Sequence, residues 1–260
     1  MKVVKDVNEN LKTVERMIKR ASNKKASIIL FPEYCLYVLL EKRLMKKYTK
    51  LVKNIQKLAK DYHIYVIFSH AQCIGKKFYN VSFLISDKGK IIGKHKKIFI
   101  MPEEKACGIL RGREIKAFKT KFGKIAIPIC WDSFNDLSSI LMRKFQKLGA
   151  EFVLIPSYSM KFSDLSIKYF RTGLTANCLW NYAYVACASN IGNAIGMKSF
   201  GHSLIISPVK GIIREGSENK EELLIADLDT KILKRLEKWD KKYYKTTEEA
   251  FKSIKKLILS

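Results

Sequence analysis

Short apolar runs alternate with amphipathic segments from one end of the chain to the other. Near the start, apolar residues recur at helical spacing between Leu11 and Ala21. Residues 27–31 then form an apolar, strand-sized run that Pro32 ends. Similar runs occupy residues 64–69, 81–86, 125–130, 152–155, 184–189, 203–207 and 223–228. The pattern predicts about eight strands.

Helical spacing predicts further helices between these strands. It is found at residues 41–61, 137–147 and 166–181 and from Thr230 onward. This alternation is typical of an α/β domain in which helices are layered over sheet. No linker, repeat or low-complexity segment divides the sequence, so we expect a single domain over residues 1–260, with a helical tail from about residue 230.

Composition narrows the class of protein. With 260 residues, 47% of them hydrophobic and 28% charged, the chain is large enough to bury one substantial core. Its apolar runs are far shorter than the roughly 20 residues that span a bilayer. The N-terminus lacks the apolar region and cleavage site of a signal peptide. We therefore expect a cytoplasmic protein without a membrane segment.

The cysteines and histidines show no metal-binding or disulfide spacing. None of the six cysteines forms a C-x-x-C pair, and the four histidines show no H-E-x-x-H motif. No glycine-rich phosphate loop is present either. We expect reduced thiols and no metal, nucleotide or other cofactor.

The chain is strongly basic, with a formal charge of +26 and a pI of about 9.8. A clustered basic surface would favour nucleic acid, but the lysines are spread over helices and turns alike. A solvated lysine-rich surface is the favoured interpretation, and a nucleic-acid partner is disfavoured. Attraction of an anionic substrate stays open.

Two reactive side chains follow predicted strands. Glu33 comes just after residues 27–31, and Cys130 ends residues 125–130. Because the carboxyl ends of such strands line a crevice in α/β folds, a carboxylate and a thiol could face each other there. Each residue alone is weak support, since free cysteine is often simply buried.

Four segments together carry more weight. They are Phe-Pro-Glu-Tyr at residues 31–34, Gly-Lys-His-Lys-Lys at 93–97 with Glu104 beyond, the run 122–132 that holds Cys130, and residues 149–157. In this order and spacing the chain resembles the carbon-nitrogen hydrolase (nitrilase) superfamily, from about residue 6 to residue 229.

The resemblance implies a catalytic role for each residue. Cys130 would be the nucleophile that forms a thioester, and Glu33 the general base. Lys97, with the backbone N–H of Trp131, would stabilise the oxyanion, and Glu104 would orient Lys97. Lys96 and Glu103 are the fallbacks for Lys97 and Glu104.

Other residues are weaker candidates. Tyr34 and Trp131 could be core aromatics or pocket walls. Asp132, Ser157 and Asn190 are second-tier candidates for contacting substrate. A dyad of His202 with Ser203 is excluded, because adjacent residues on a strand point to opposite faces, and this pair is interpreted as structural. A papain-like pair of Cys130 with His202 is a further, disfavoured alternative.

The chain departs from the family in three places. Only residues 1–5 precede the first helix, so the first strand is expected to be shortened or missing. Phe99 stands where histidine is common. Residues 177–181 lack the Arg and Glu of the usual R-A-x-E-N helix, which leaves the subunit geometry open.

The resemblance implies a four-layer α-β-β-α sandwich that forms a homodimer or higher homo-oligomer. It implies hydrolysis of a small amide, N-carbamoyl compound or nitrile, and Cys-Trp-Asp at residues 130–132 is closer to the amidase and carbamoylase branches. The alternatives are a catalytically silent relative that binds a small molecule or protein, and, less favoured, a basic nucleic-acid-binding protein.

Overall fold

The computed structural model describes residues 1–38, 40–193, 196, 198–236 and 238. The chain forms two compact units, Met1–Ala226 and Asp227–Ser260. In the second unit a helix begins at Thr230 and is described through residue 236, and the rest of the predicted helical tail lies outside the described residues apart from residue 238. A single domain over residues 1–260 stays a prediction.

The first unit carries all the strands and the named helices. The helices are α1 (Val7–Asn23), α2 (Lys42–Tyr48), α3 (Val52–Asp61), α4 (Pro102–Ala106), α5 (Ser138–Lys147) and α6 (Leu165–Asn181). The strands are β1 (Ile28–Leu30), β2 (Tyr65–Ile74), β3 (Lys77–Ile85), β4 (Ile91–Lys96), β5 (Phe118–Thr120), β6 (Gly123–Ala126), β7 (Phe152–Ser157), β8 (Tyr184–Ser189), β9 (Ile191–Gly192), β10 (Ser199–Phe200), β11 (Leu204–Ser207) and β12 (Gly211–Glu215).

One sheet has the strand order β1-β2-β3-β4. β1 runs parallel to β2, and β2, β3 and β4 form an antiparallel meander. Apolar residues of α1 and α3, such as Val14, Ile18 and Ile55, pack with Val66 and Phe68 of this sheet. Asp6 caps α1 by accepting hydrogen bonds from the first-turn N–H groups, as a short acidic side chain does at this position.

The second sheet has the order β12-β11-β8-β7-β6-β5, with β6, β7 and β8 parallel. Helices α5 and α6 connect the parallel strands, and Leu141, Phe145 and Leu174 of these helices share a core with Val153 and Val185. β1 and β2 of the first sheet contact β7 of the second. Two sheets with helices on their outer faces make the α-β-β-α sandwich that was expected.

Several predicted boundaries were wrong. The strand expected over residues 125–130 ends at Ala126, because Pro128 has no N–H to continue the ladder. No strand forms at residues 223–228, none of which is buried. The helix expected over residues 41–61 is interrupted by a 3-10 turn at Thr49–Leu51.

Among residues 1–38, no strand precedes α1. Instead Lys2 makes a single parallel bridge with Ile191, whose N–H donates to the Met1 carbonyl at 3.0 Å. The shortened first strand thus still pairs with the segment after β8. Within the described part of the chain, no helix is long and apolar enough to span a membrane. A cytoplasmic location stays a prediction.

Candidate active site

The four residues expected to be catalytic come together at the ends of strands. Glu33 lies just beyond β1, Lys97 follows β4, Glu104 is in the short helix α4, and Cys130 begins a 3-10 helix at Cys130–Ser133. All four side chains are buried. Buried ionisable groups are costly unless paired, so their pairing determines the chemistry of the site.

Lys97 joins the two carboxylates. Its Nζ lies 2.8 Å from Glu33 Oε1 and 2.8 Å from Glu104 Oε2. Glu104 is held in turn by the Tyr34 hydroxyl, which donates to Oε1 at 2.5 Å, and by the Met101 N–H, which donates to Oε2 at 3.0 Å. The Tyr158 N–H donates to Glu33 Oε2 at 2.9 Å. Each carboxylate thus has a fixed orientation.

These contacts shift the pKa values in different directions. Burial raises the pKa of Glu33, and the nearby Lys97 ammonium offsets this only in part. Burial opposes the charge of Lys97, but Glu104 and Glu33 outweigh it and hold its pKa well above the usual range. Burial also acts on Glu104, where Lys97 outweighs it and lowers the pKa. Glu33 is therefore the carboxylate best suited to accept a proton, while Lys97 stays charged.

Cys130 lies at a strained turn. Its φ is +45°, in the left-handed region that side chains other than glycine rarely adopt. Asp132 supports the turn: its Oδ1 accepts from the Ile98 and Phe99 N–H groups at 3.0 and 2.8 Å. Its Oδ2 accepts from the Ile129 N–H at 3.1 Å and lies 2.9 Å from His95 Nε2. Strain held in this way by surrounding bonds is typical of functional sites.

The Cys130 thiol contacts neutral polar groups and lies near the charged Glu33 and Lys97 side chains. The Ser157 hydroxyl donates to Cys130 Sγ at 3.4 Å, and Sγ lies 4.0 Å from the Tyr158 carbonyl oxygen. Burial, and next the Glu33 carboxylate, raise the pKa of the Cys130 thiol above its ordinary value. The thiol is therefore protonated at neutral pH and needs a base in order to react.

Asn80 on β3 was not singled out from the sequence. Its Nδ2 donates to Glu33 Oε1 at 2.7 Å and to Glu104 Oε1 at 2.9 Å. Lys97 and Asn80 together thus bridge the two carboxylates. The Lys97 N–H also donates to the Asn80 carbonyl at 2.9 Å, so the pairing of β3 with β4 places both residues. A single asparagine in a strand gives no distinctive signal in the sequence.

A cavity of about 380 Å³ opens onto Glu33, Lys97 and Cys130. Tyr34 and Trp131 are part of its lining. The other described lining residues are Val38, Leu40, Met101, Glu103, Glu104, Phe134, Tyr158, Ser159, Met160, Phe162, Ser163, Leu165, Ser166, Tyr169, Phe170 and Phe200.

Three predicted substrate contacts are not among the lining residues. Asp132 is fully buried at the turn, where its oxygens serve backbone N–H groups. Ser157 Oγ reaches Cys130 Sγ and lies 3.0 Å from Ser159 Oγ. Asn190 accepts from the Ser159 N–H at 3.0 Å. The structure therefore places these residues behind the cavity, where they position its lining.

Lys96 and Glu103, the alternatives to Lys97 and Glu104, do not take part in this network of charges. Lys96 Nζ lies over the Tyr79 ring, 4.2 Å from its centroid, on the opposite side of β4 from Glu33. Glu103 is exposed at the margin of the cavity. His202 lies outside the described lining, and its Nδ1 is 2.7 Å from Glu215 Oε1. A papain-like pairing of Cys130 with His202 has no support in this geometry.

The chain is similar to known proteins over most of its length. The family model for carbon-nitrogen hydrolase matches residues 1–238. A nitrilase of Pyrococcus abyssi is 25% identical over 233 residues, which cover 85% of this chain and 84% of that protein. An N-carbamoylputrescine amidase of Arabidopsis thaliana is 25% identical, covering 88% and 84%.

A solved structure shows the same fold. The carbon-nitrogen hydrolase of Helicobacter pylori G27 superposes with a TM-score of 0.84 at 17% sequence identity, covering 91% of this chain and 89% of that one. With the match of the family model over nearly the whole chain, the conclusion is direct: this chain belongs to the carbon-nitrogen hydrolase family.

Proposed function

We propose that this protein hydrolyses a non-peptide C–N bond of a small amide or N-carbamoyl compound through a thioester on Cys130. The observation that carries the proposal is the arrangement of the Cys130 thiol, the Glu33 carboxylate and the Lys97 ammonium around one cavity. A silent relative would have no need for this strained cysteine and these buried charges, which are costly to maintain.

In the first half-reaction, Glu33 takes the thiol proton while Sγ attacks the substrate carbon. The new S–C bond forms as the carbonyl π electrons move onto oxygen. Lys97 Nζ and the backbone N–H of Trp131, in the first turn of the 3-10 helix where N–H groups lack intrahelical partners, stabilise that oxyanion. Lys97 acts by its charge, because its raised pKa keeps it protonated.

The tetrahedral intermediate then collapses. The carbonyl re-forms, the C–N bond breaks, and protonated Glu33 gives its proton to the leaving nitrogen, so ammonia or an amine departs. In the second half-reaction Glu33 takes a proton from water as the water oxygen attacks the thioester. The S–C bond breaks, and the proton returns to sulfur. The raised pKa of Glu33 suits both proton transfers, because a base that must also act as an acid works best near the ambient pH.

The experiment is ammonia release from a panel of short amides, ω-amides, N-carbamoyl compounds and nitriles. We expect turnover by the wild type and none by Cys130→Ala. Cys178→Ala is the matched control, because Cys178 is a buried thiol in α6 that donates to the Ala183 carbonyl at 3.1 Å, away from the cavity. Equal ammonia release by wild type and Cys130→Ala would sink the proposal; a nitrile as the preferred compound would select the nitrilase alternative.

The protein is also proposed to form a homodimer through α6. Leu179 and Trp180, in the last turn of α6, are 40% and 61% exposed, and neither lines the cavity. Large apolar side chains grouped in this way support a protein–protein contact. Light scattering after size exclusion should give the mass of a dimer or higher oligomer for the wild type and a smaller mass for Trp180→Glu. A monomeric wild type contradicts the proposal.

A second candidate function is nucleic-acid binding on the outer side of β4. A groove of about 760 Å³ there is lined by the cationic residues Lys77, Lys94, Lys96, Arg111, Arg113 and Lys116. Its one carboxylate, Glu114, lies 2.5 Å from Lys116 Nζ. The lysines that look dispersed in the sequence are thus partly gathered in space. Gel-shift assays with single-stranded RNA should show binding that weakens steeply with salt and is lost in Arg111→Glu; binding that salt leaves unchanged excludes this function.

A further inference from the structure

We propose that the active-site cavity selects against substrates whose non-reacting part carries a carboxylate. This inference rests on the proposed function, because it names the substrate class of the same site. It follows from the walls of the cavity and from the balance of charge inside it.

The walls are predominantly apolar. Beyond the reacting groups, the cavity is bounded mainly by aliphatic, aromatic and methionine side chains, and its polar residues there are three serines and Glu103. Those of α6 and its preceding loop, Phe162, Leu165 and Tyr169, are also well exposed and form its outer part. Trp131 stacks near Tyr169 with ring centroids 6.3 Å apart, which gives a broad aromatic surface beside Cys130. Apolar walls with few polar groups favour ligands that remove apolar surface from water.

The charge inside the cavity is negative. Among the described lining residues the carboxylates are Glu33, Glu103 and Glu104, and the single cation is Lys97. Lys97 Nζ already contacts both Glu33 and Glu104 at 2.8 Å. No other lysine or arginine in the described lining could pair with a substrate carboxylate.

Among the residues that the structure describes, the high positive charge of the chain apart from Lys97 therefore lies outside this cavity. A carboxylate on the substrate would lose much of its hydration against apolar walls and gain no cationic partner among the described lining residues, which makes its burial costly. We expect such a substrate to bind at least about 100-fold more weakly than a neutral one of equal length. From the sequence, attraction of a substrate carboxylate by the basic surface was left open. The composition of the cavity walls instead favours substrates without a carboxylate.

Glu103, an exposed carboxylate of the cavity lining, affects how well a substrate with a positive charge binds. It is exposed, so an ammonium group on the far end of a substrate could pair with it while keeping much of its hydration. Exposed ion pairs contribute little, so we expect an ammonium-ended amide to bind within about tenfold of the neutral one. We therefore expect the neutral and the ammonium-ended amide to bind with similar affinity, and the carboxylate-ended amide to bind much more weakly than either.

The test uses three primary amides of one chain length, ending in methyl, carboxylate or ammonium. Their dissociation constants are measured by calorimetry with Cys130→Ala, so that selectivity is tested without turnover. A carboxylate-ended amide that binds as tightly as the methyl-ended amide overturns the inference. Ammonia release by the wild type tests the proposed function separately, so failure of either claim is recognised by its own assay.

A designed variant gives an independent check. Phe162→Arg places a cation in the outer wall at a side chain that is 62% exposed, so the fold should tolerate it. We expect Phe162→Arg to bind the carboxylate-ended amide about tenfold more tightly than Phe162→Gln does, and the two variants to bind the methyl-ended amide alike. Phe162→Gln is the matched control, since it removes the ring without adding charge. If Phe162→Arg and Phe162→Gln bind the carboxylate-ended amide equally, charge balance does not govern the site and the inference is wrong.

Discussion

Replacement of Asn80 by aspartate tests how the two carboxylates are held. The change keeps the size of the side chain but removes its amide donor. Two hydrogen bonds, at 2.7 Å to Glu33 and 2.9 Å to Glu104, become contacts between oxygens. Asn80 Oδ1 has no hydrogen-bond partner among the described residues, so the amide N–H groups make the hydrogen bonds of this side chain.

The magnitude follows from the bond to Glu33. A hydrogen bond to a charged group contributes about 1.5–3 kcal/mol. Its loss disfavours ionised Glu33 by that amount, and one pKa unit corresponds to about 1.4 kcal/mol. The pKa of Glu33 should therefore rise by a further ~1–2 units in Asn80→Asp. Because the base must be ionised to accept the thiol proton, the rising limb of kcat/KM against pH should move upward by the same interval.

The assay is kcat/KM for a non-ionisable amide over a range of pH, with Asn10→Asp as the matched control. Asn10 is another buried asparagine whose Nδ2 makes two hydrogen bonds, to the Val4 and Leu36 carbonyls at 2.7 and 3.1 Å. Asn10→Asp should lower thermal stability and leave the midpoint of the profile unchanged. An unshifted midpoint in Asn80→Asp, or equal shifts in both variants, would refute a positioning role for Asn80.

Three further predictions concern the other groups of the site. In the wild type, the rising limb of kcat/KM should have its midpoint above the ordinary glutamate pKa of about 4.3, since burial raises the pKa of Glu33; a midpoint below that value contradicts the assignment. Lys97→Met should lower the free energy of unfolding by about 3–5 kcal/mol, because it strands two buried carboxylates. In Lys97→Met the pKa values of Glu33 and Glu104 would lie above those in the unfolded chain. Urea titrations should therefore show a smaller loss of unfolding free energy at pH 5 than at pH 8. A loss that does not depend on pH would show that unpaired carboxylates are not its cause. Asp132→Asn should lower the free energy of unfolding by about 1–3 kcal/mol, because the Ile129 N–H would then face an amide donor. In this variant kcat should fall by more than KM changes. An unaltered kcat would show that the turn at Cys130 does not depend on Asp132.

The layered fold was predictable because the buried strands have continuous apolar runs. Strand β8 forms at Tyr184–Ser189 as predicted, and β7 includes its predicted residues. Strand β4 was missed: its lysines at positions 94 and 96 alternate with the buried Gly93 and His95, and the segment reads as a basic turn. The 3-10 helix at Cys130 was missed because the apolar residues before it continue the pattern of a strand.

The site was predictable only in part. The identities of Glu33, Lys97, Glu104 and Cys130 came from a resemblance between motifs, and the structure shows that they lie together. Asn80 could not be found in this way, since its contacts arise from the register of β3 and β4 and from residues far away in sequence. The cavity walls contributed by α6 are equally non-local, so the charge balance inside the cavity is a property of the folded chain alone.

The most direct test of the account is mass spectrometry of the protein quenched in acid during turnover of a short amide. We expect the peptide containing Cys130 to gain the mass of the substrate's acyl group, and Cys130→Ala to show no such adduct. Ammonia release by Cys130→Ala at the rate of the wild type, or an acyl adduct confined to another residue, would contradict it.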